Sequence, residues 1–144
     1  MRSILHFSLV VLCLVSLSAD EEKLNDLSKR LSLFPPAEED YAPLLDTIDN
    51  QLEAIKLHNY DRAYFFYASK GFKAKTSYQQ FNLFIRANPV LLNNKSLVTT
   101  EVYIDKTIGY YKGVITSKAD DVKKIHYELI FENDNWKILG IQIY

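Results

Sequence analysis

The chain carries ten tyrosines. Four of them, Tyr64, Tyr67, Tyr103 and Tyr127, fall where helical or strand spacing points a side chain inward. A buried phenol hydroxyl without a partner costs about 1 to 3 kcal/mol, so such groups meet protein atoms, water or a ligand. Together with Phe81 and Trp136 they would line an apolar pocket with phenol donors, able to orient a small ligand or to stabilise an enolate-like oxyanion. Glu101 is the general-base candidate for that pocket, because burial beside aromatic rings raises a carboxyl pKa toward the useful range. A register shift of one residue decides whether Glu101 faces the pocket or solvent, and Val98, Val102 and Ile104 on the opposite side favour solvent. Aromatic stripes at regular spacing more often pack a core than line a site.

Other residue pairs invite chemistry and carry less of it. His126 and Glu128 share a strand face, but so do Lys124 and Glu132, and a general base must sit in a cleft beside its substrate. That face reads as solvated. His58 falls at a helix end, where an imidazolium favours the terminal carbonyls. Lys70, Lys73 and Lys75 precede a helix N-terminus, a place suited to anions, yet the spacing is not that of a phosphate-cradling glycine loop and reads as a solvated loop. Asn94-Lys95-Ser96 has the form of a glycosylation acceptor, which matters only in a eukaryotic secretory route. No catalytic residue, metal ligand or cofactor is assigned.

The elements that must position these residues follow from hydrophobic period. Leu24, Leu27 and Leu31 recur at helical spacing behind Asp20, Glu21 and Glu22, giving a short amphipathic helix. Three prolines in the ten residues from Phe34 to Pro43 then break the helix, so residues 20–42 read as a helix and linker ahead of one domain over 43–144. Pro43 opens a helix striped by Leu44, Leu45, Ile48, Leu52 and Ile55. A second helical block buries Ala63, Tyr64, Phe66 and Tyr67 and is interrupted at Gly71. Ser77 and Gln80 form a capping box for a third, with Tyr78, Phe81, Leu83, Phe84 and Ile85 apolar and Pro89 ending it.

Past Ser96 the period becomes two. Runs near 97–104, 107–116, 123–132 and 136–144 have strand length and short polar connections, which predicts an antiparallel meander. Ile125, Tyr127, Leu129 and Phe131 give one buried face, and the Asn133-Asp134-Asn135 turn tolerates left-handed geometry. Gly109 and Gly113 suggest bends or bulges. In the last run Trp136, Ile138 and Tyr144 alternate against Leu139, Ile141 and Ile143, which predicts two apolar faces, the second covered by the Leu24 helix or by another subunit.

With 48% hydrophobic and 24% charged residues the chain is globular. Residues 1–19 have the layout of a secretory signal peptide: Arg2, an apolar run from Ile4 to Leu17, then Ser18 and Ala19. The run falls short of the ~20 residues that cross a bilayer, so no stable membrane insertion is expected after cleavage. Removal takes Cys13, the sole cysteine, and Arg2, leaving 16 basic side chains against 18 acidic ones, a net charge of −2. Such a chain forms no disulfide and lacks the positive excess of a nucleic-acid binder. The expected location is periplasmic or secreted.

Helices followed by a four-stranded meander that ends in "NDNWKILGIQIY" resemble the cone-shaped superfamily of ketosteroid isomerase and nuclear transport factor two. Within it, "IDNQLEAIKLHNYDRAYFFYASKGFKAK", "SYQQFNLFIRANPVL" and "DNWKILGI" look like a bacterial family described only as a domain of unknown function. The resemblance implies an α+β fold, a curved sheet wrapped on helices, a pocket at the cone's open end, and frequently a homodimer through the outer sheet face. It implies no activity. The expected function is a non-catalytic exported module binding a small apolar ligand or a protein partner, with the cone interior as the default site. The alternatives are an isomerase or dehydratase using Tyr103 or Tyr127 with Glu101, and a purely structural assembly domain.

Overall fold

A computed structural model describes residues 20–27, 29–30 and 40–144. The chain divides into two compact units, Met1–Phe34 and Pro35–Tyr144. In the first, residues 20–27 and 29–30 are helical (α1), with Leu24 and Leu27 exposed. The expected leader, Leu31 and most of the proline-rich stretch lie outside the described residues. No helix among the described residues is long and apolar enough to cross a membrane.

The second unit is α+β. Helix α2 (Ala42–Lys56) carries proline in its first turn and buries Leu44, Ile48, Gln51, Leu52, Ala54 and Ile55 along one stripe. Its end is closed by His58 at φ 57°: the His58 amide donates to Ile55 O at 3.0 Å and the Asn59 amide to Ala54 O at 2.8 Å. This is a Schellman closure with histidine where glycine is usual, so His58 serves through its backbone, and its Nδ1 lies 3.0 Å from the Tyr60 hydroxyl. A π-helical turn follows over Arg62–Phe66. It buries Ala63 and Tyr64 but leaves Phe66 56% exposed, because widened i→i+5 winding rotates Phe66 off the stripe that a 3.6-residue period assigned it.

Gly71 does not interrupt a helix. It lies in the first turn of α3 (Lys70–Lys75), capped by Ser69, whose hydroxyl accepts the Phe72 amide at 3.0 Å. The lysines expected on a loop are therefore helical. Helix α4 (Tyr78–Ala87) has the predicted capping box in full: Gln80 N donates to Ser77 Oγ at 3.2 Å and Ser77 N to Gln80 Oε1 at 2.8 Å. Pro89 ends it and opens the short α5 (Pro89–Leu92).

Strands β1 (Asn94–Asp105), β2 (Ile108–Ser117), β3 (Val122–Glu132) and β4 (Asn135–Ile143) form an open antiparallel sheet in the order β1-β2-β3-β4. The β3–β4 turn holds Asn133 and Asp134 at φ 51° and 62°, as side chains of that type permit. The helices pack on one face, whose core includes Ile104, Tyr111, Ile115, Ile125, Tyr127, Leu129, Trp136 and Ile138. Tyr67 O and Ser69 N bond both backbone groups of Ile138 at 2.8 Å, which covers the β4 edge.

Two bulges decide which side chains face the helices. In β4 the register shifts so that Glu128 pairs with Gly140 and Leu129 with Ile138, leaving Leu139 as the extra residue. Ile141 and Ile143 thereby return to the face of Trp136 and Ile138, pairing with Tyr127 and Ile125. The broken alternation is thus a bulge on one apolar face, and the expectation of two apolar faces is corrected. In β1 the shift between Thr99 and Glu101 likewise keeps Leu97, Val102 and Ile104 over Ile115, Tyr111 and Gly109. Gly109 and Gly113 are not themselves bulged. A Cβ on Gly109 would lie 2.3 Å from Leu44 Cδ1, and one on Gly113 would meet the Tyr111 ring, so each marks a close approach.

Candidate functional site

The seven residues assigned to a pocket divide between two faces of the sheet. Tyr64, Tyr67, Phe81, Tyr127 and Trp136 all belong to the buried core. There they pack as rings against rings: Tyr64 lies 5.5 Å from Phe81, Tyr111 lies 6.1 Å from Tyr127, and Phe131 lies 5.4 Å from Trp136. The Tyr64 hydroxyl donates to Thr76 O at 2.7 Å, and Arg62 donates to the Tyr67 hydroxyl at 3.3 Å. Among the described residues the buried Tyr127 hydroxyl has no partner, and neither has the Trp136 indole nitrogen. Burial, and then the neighbouring Tyr111 and Asp49, push the Tyr127 pKa far above that of a free phenol. The Asp49 carboxyl is itself raised by burial and by Asp46.

Glu101 and Tyr103 lie on the other face, away from the helices. Tyr103 is 44% exposed, which corrects its inward assignment. Glu101 accepts Lys112 Nζ at 2.7 Å in an exposed ion pair, and that carboxylate raises the Lys112 pKa through its hydrogen bond and its charge. Glu101 and the Tyr127 ring therefore never meet.

The outer face carries two rows of side chains across all four strands. One runs Tyr103, Tyr110, Glu128, Gly140, and the next runs Glu101, Lys112, His126, Gln142. All of these but Glu101, together with Tyr111 and Tyr127, line a shallow depression of about 220 Å³. Tyr103 and Tyr110 stack at 4.7 Å and 20° to form one wall. Burial, Glu128 and Tyr103 raise the Tyr110 pKa. Gly140 leaves the Glu128 carboxylate uncovered, since a Cβ there would sit 3.7 Å from its Oε2. His126 packs 4.9 Å from Tyr144, whose hydroxyl donates to Gln142 Oε1 at 2.6 Å. Among the described residues Glu128 makes no ion pair, and no cluster of His, Cys, Asp or Glu could hold a metal.

His126 and Glu128 do share this face, as the alternation of β3 predicts. Tyr110, Lys112, Gly140 and Gln142 were not singled out by sequence, because the bulges at Thr100 and Leu139 set which of them cross the sheet beside Glu128. The acceptor-like Asn94 uses its side-chain amide to donate to Leu91 O at 2.8 Å.

Residues 37–144 match the family described as Domain of unknown function (DUF4864). The chain belongs to that family. The match spans α2 to the last residue of the chain, so the core, the bulged sheet and both outer rows all lie within the DUF4864 domain. No curated protein matches the chain.

Proposed function

We propose that this DUF4864 domain is a non-catalytic, exported binding module of the nuclear transport factor two-like superfamily, and that the outer face of its sheet takes a second copy of the chain. The observation that carries the reading is the contrast between the two faces. The centre of the helix-facing side is filled by Tyr111, Tyr127, Ile115, Ile125 and Leu129 at 2% exposure or less, and a small depression of about 120 Å³ opens between Phe72, Phe81, Phe84 and Ile141. The outer side leaves Val98, Tyr103 and Tyr144 at 58%, 44% and 61% exposure around the shallow depression.

Charge on that face complements itself. Lys124, His126 and Glu128 follow one another along β3 at alternate positions. A two-fold axis lying in the interface and crossing β3 at His126 sets Lys124 of one copy over Glu128 of the other, which is how an isologous contact matches itself. The β4 edge is already paired at Ile138 by Tyr67 and Ser69, which disfavours strand addition there. An isomerase or dehydratase using Glu101 is less well supported, because that carboxylate is tied to Lys112 on an open surface rather than set in a cleft.

Sedimentation velocity on the full chain tests this. The expected result is a dimer that Tyr103→Arg with Val98→Asp converts to a monomer with an unchanged circular dichroism spectrum. A wild-type monomer throughout the micromolar range, or a dimer indifferent to both substitutions, overturns it.

A further inference from the structure

We propose that the π-helical turn Arg62–Phe66 is a membrane-surface anchor that inserts Phe65 and Phe66 into the headgroup region of an anionic bilayer. The turn lies beyond the covered β4 edge and plays no part in the outer-face rows. Its two phenylalanines are adjacent in sequence and 60% and 56% exposed, although ordinary helical winding would turn one of them inward. Phe65 is propped by stacking on Tyr78 at 5.4 Å and 23°, and the Tyr78 hydroxyl donates to Asp61. Two large rings held side by side in solvent at a turn are an unusual expense for a small domain, and aromatic side chains favour the water–lipid boundary.

Cations surround those rings. Lys137 Nζ lies 4.5 Å and Arg62 Cζ 5.5 Å from the Phe66 ring centroid. Lys73 joins them from α3, which also carries Lys70 and Lys75. None of the five forms an ion pair among the described residues. Two carboxylates stand against these five cations: Asp61, which accepts from the Tyr78 hydroxyl, and Glu132, which accepts the Lys70 amide at 3.1 Å and also acts on Lys137. The patch is therefore locally positive in a chain whose net charge is −1. Burial, and then the neighbouring Lys73 charge, hold the Lys137 pKa below its usual value, with Glu132 acting in the opposite direction.

The backbone of the turn decides for lipid over a soluble acidic partner. Lys73 Nζ donates to Phe65 O at 3.3 Å and Lys137 Nζ to Phe66 O at 2.6 Å. The carbonyls beside the two rings thus arrive at a low-dielectric boundary already paired, the requirement that a bilayer sets and that water does not. The same amines stand beside the rings, where headgroup phosphates would lie.

The test uses the full chain with Phe66→Trp as a local reporter, read against the constant background of buried Trp136. Vesicles of phosphatidylcholine alone are compared with vesicles that also contain phosphatidylglycerol. The expected result is a blue shift and quenching by brominated acyl chains on anionic vesicles only, reversed by salt. Lys70→Gln with Lys75→Gln, which leaves both carbonyl contacts intact, weakens binding about fivefold per charge removed. Phe65→Ser abolishes the quenching. An unshifted reporter, equal binding to both vesicle types, or an equal response to soluble dextran sulfate overturns the proposal. The last of these reassigns the patch to an acidic soluble partner, and none of the three depends on whether the chain dimerises.

Discussion

Replacing Tyr127 by phenylalanine should make the protein more stable, the reverse of what deleting a buried hydroxyl usually does. The Tyr127 ring is 2% exposed within the core and its hydroxyl has no hydrogen-bond partner among the described residues. An unpaired buried polar group costs about 1 to 3 kcal/mol, and removing it leaves the ring contact with Tyr111 intact, so a gain of about 1 kcal/mol is expected. For a domain near 100 residues that is a rise in Tm of roughly 4 °C. Tyr64→Phe is the internal control, because its hydroxyl donates to Thr76 O at 2.7 Å and its loss should cost about 1 to 2 kcal/mol. Urea titration of both variants supplies the comparison.

The same substitution changes the alkaline limb of stability. Tyr127 has a folded-state pKa raised above the ordinary 10.0, so its contribution is complete below that value and is lost as pH climbs past it, because the unfolded chain ionises first. Wild-type stability should fall above pH 10 by up to about 1.4 kcal/mol per unit on account of this one group, and Tyr127→Phe should remove that slope. A Tyr127→Phe variant destabilised by 1 kcal/mol or more would mean that the hydroxyl has a partner such as an ordered water or ligand, and the packed-core account of this face would be wrong.

Two further substitutions probe the frame that holds the sheet. His58→Gly should stabilise the domain by about 0.5 to 1 kcal/mol in thermal unfolding, since glycine removes the steric cost of φ 57° at the α2 closure while the Ile55 and Ala54 carbonyl contacts persist. Gly109→Ala should destabilise it by about 1 to 3 kcal/mol, because the new methyl overlaps Leu44 Cδ1 at 2.3 Å and crowds Trp136 at 3.2 Å. Combining it with Leu44→Ala should recover part of that loss, measured as a coupling in a double-mutant cycle.

Sequence carried the order of elements well and the facing of side chains poorly, for one physical reason. Helix caps and strand runs are local: Ser77 with Gln80, Pro43, and the alternation of Ile125, Tyr127 and Leu129 each announce themselves within a few residues. Facing in a sheet is not local, because one inserted residue reverses everything beyond it. The bulge at Leu139 made a single apolar face look like two. The matching shift at Thr100 put Val98 and Tyr103 on the same outer face as Glu101, although their spacing in an unbroken strand would separate Val98 from the other two. The π-turn did to Phe66 what the bulges did to the strands.

Those three irregularities also place the surfaces to which function is assigned here. Without the Leu139 bulge, Gly140 and Gln142 would turn toward the helices and Ile141 would stand beside Glu128 and His126, covering the outer depression with an aliphatic side chain. Without π winding, Phe66 would turn inward and Lys137 would lose its ring contact. Each insertion costs local hydrogen bonding and gains no core volume, since the core face stays continuous on both sides of the Leu139 and Thr100 shifts. Their effect is on the surface, where they set a glycine beside a free carboxylate and leave two phenylalanines uncovered among lysines. Deleting Leu139 removes the extra residue but keeps Gly140 and Gln142 outward and Ile141 inward, so it should spare the outer depression and be felt chiefly in folding.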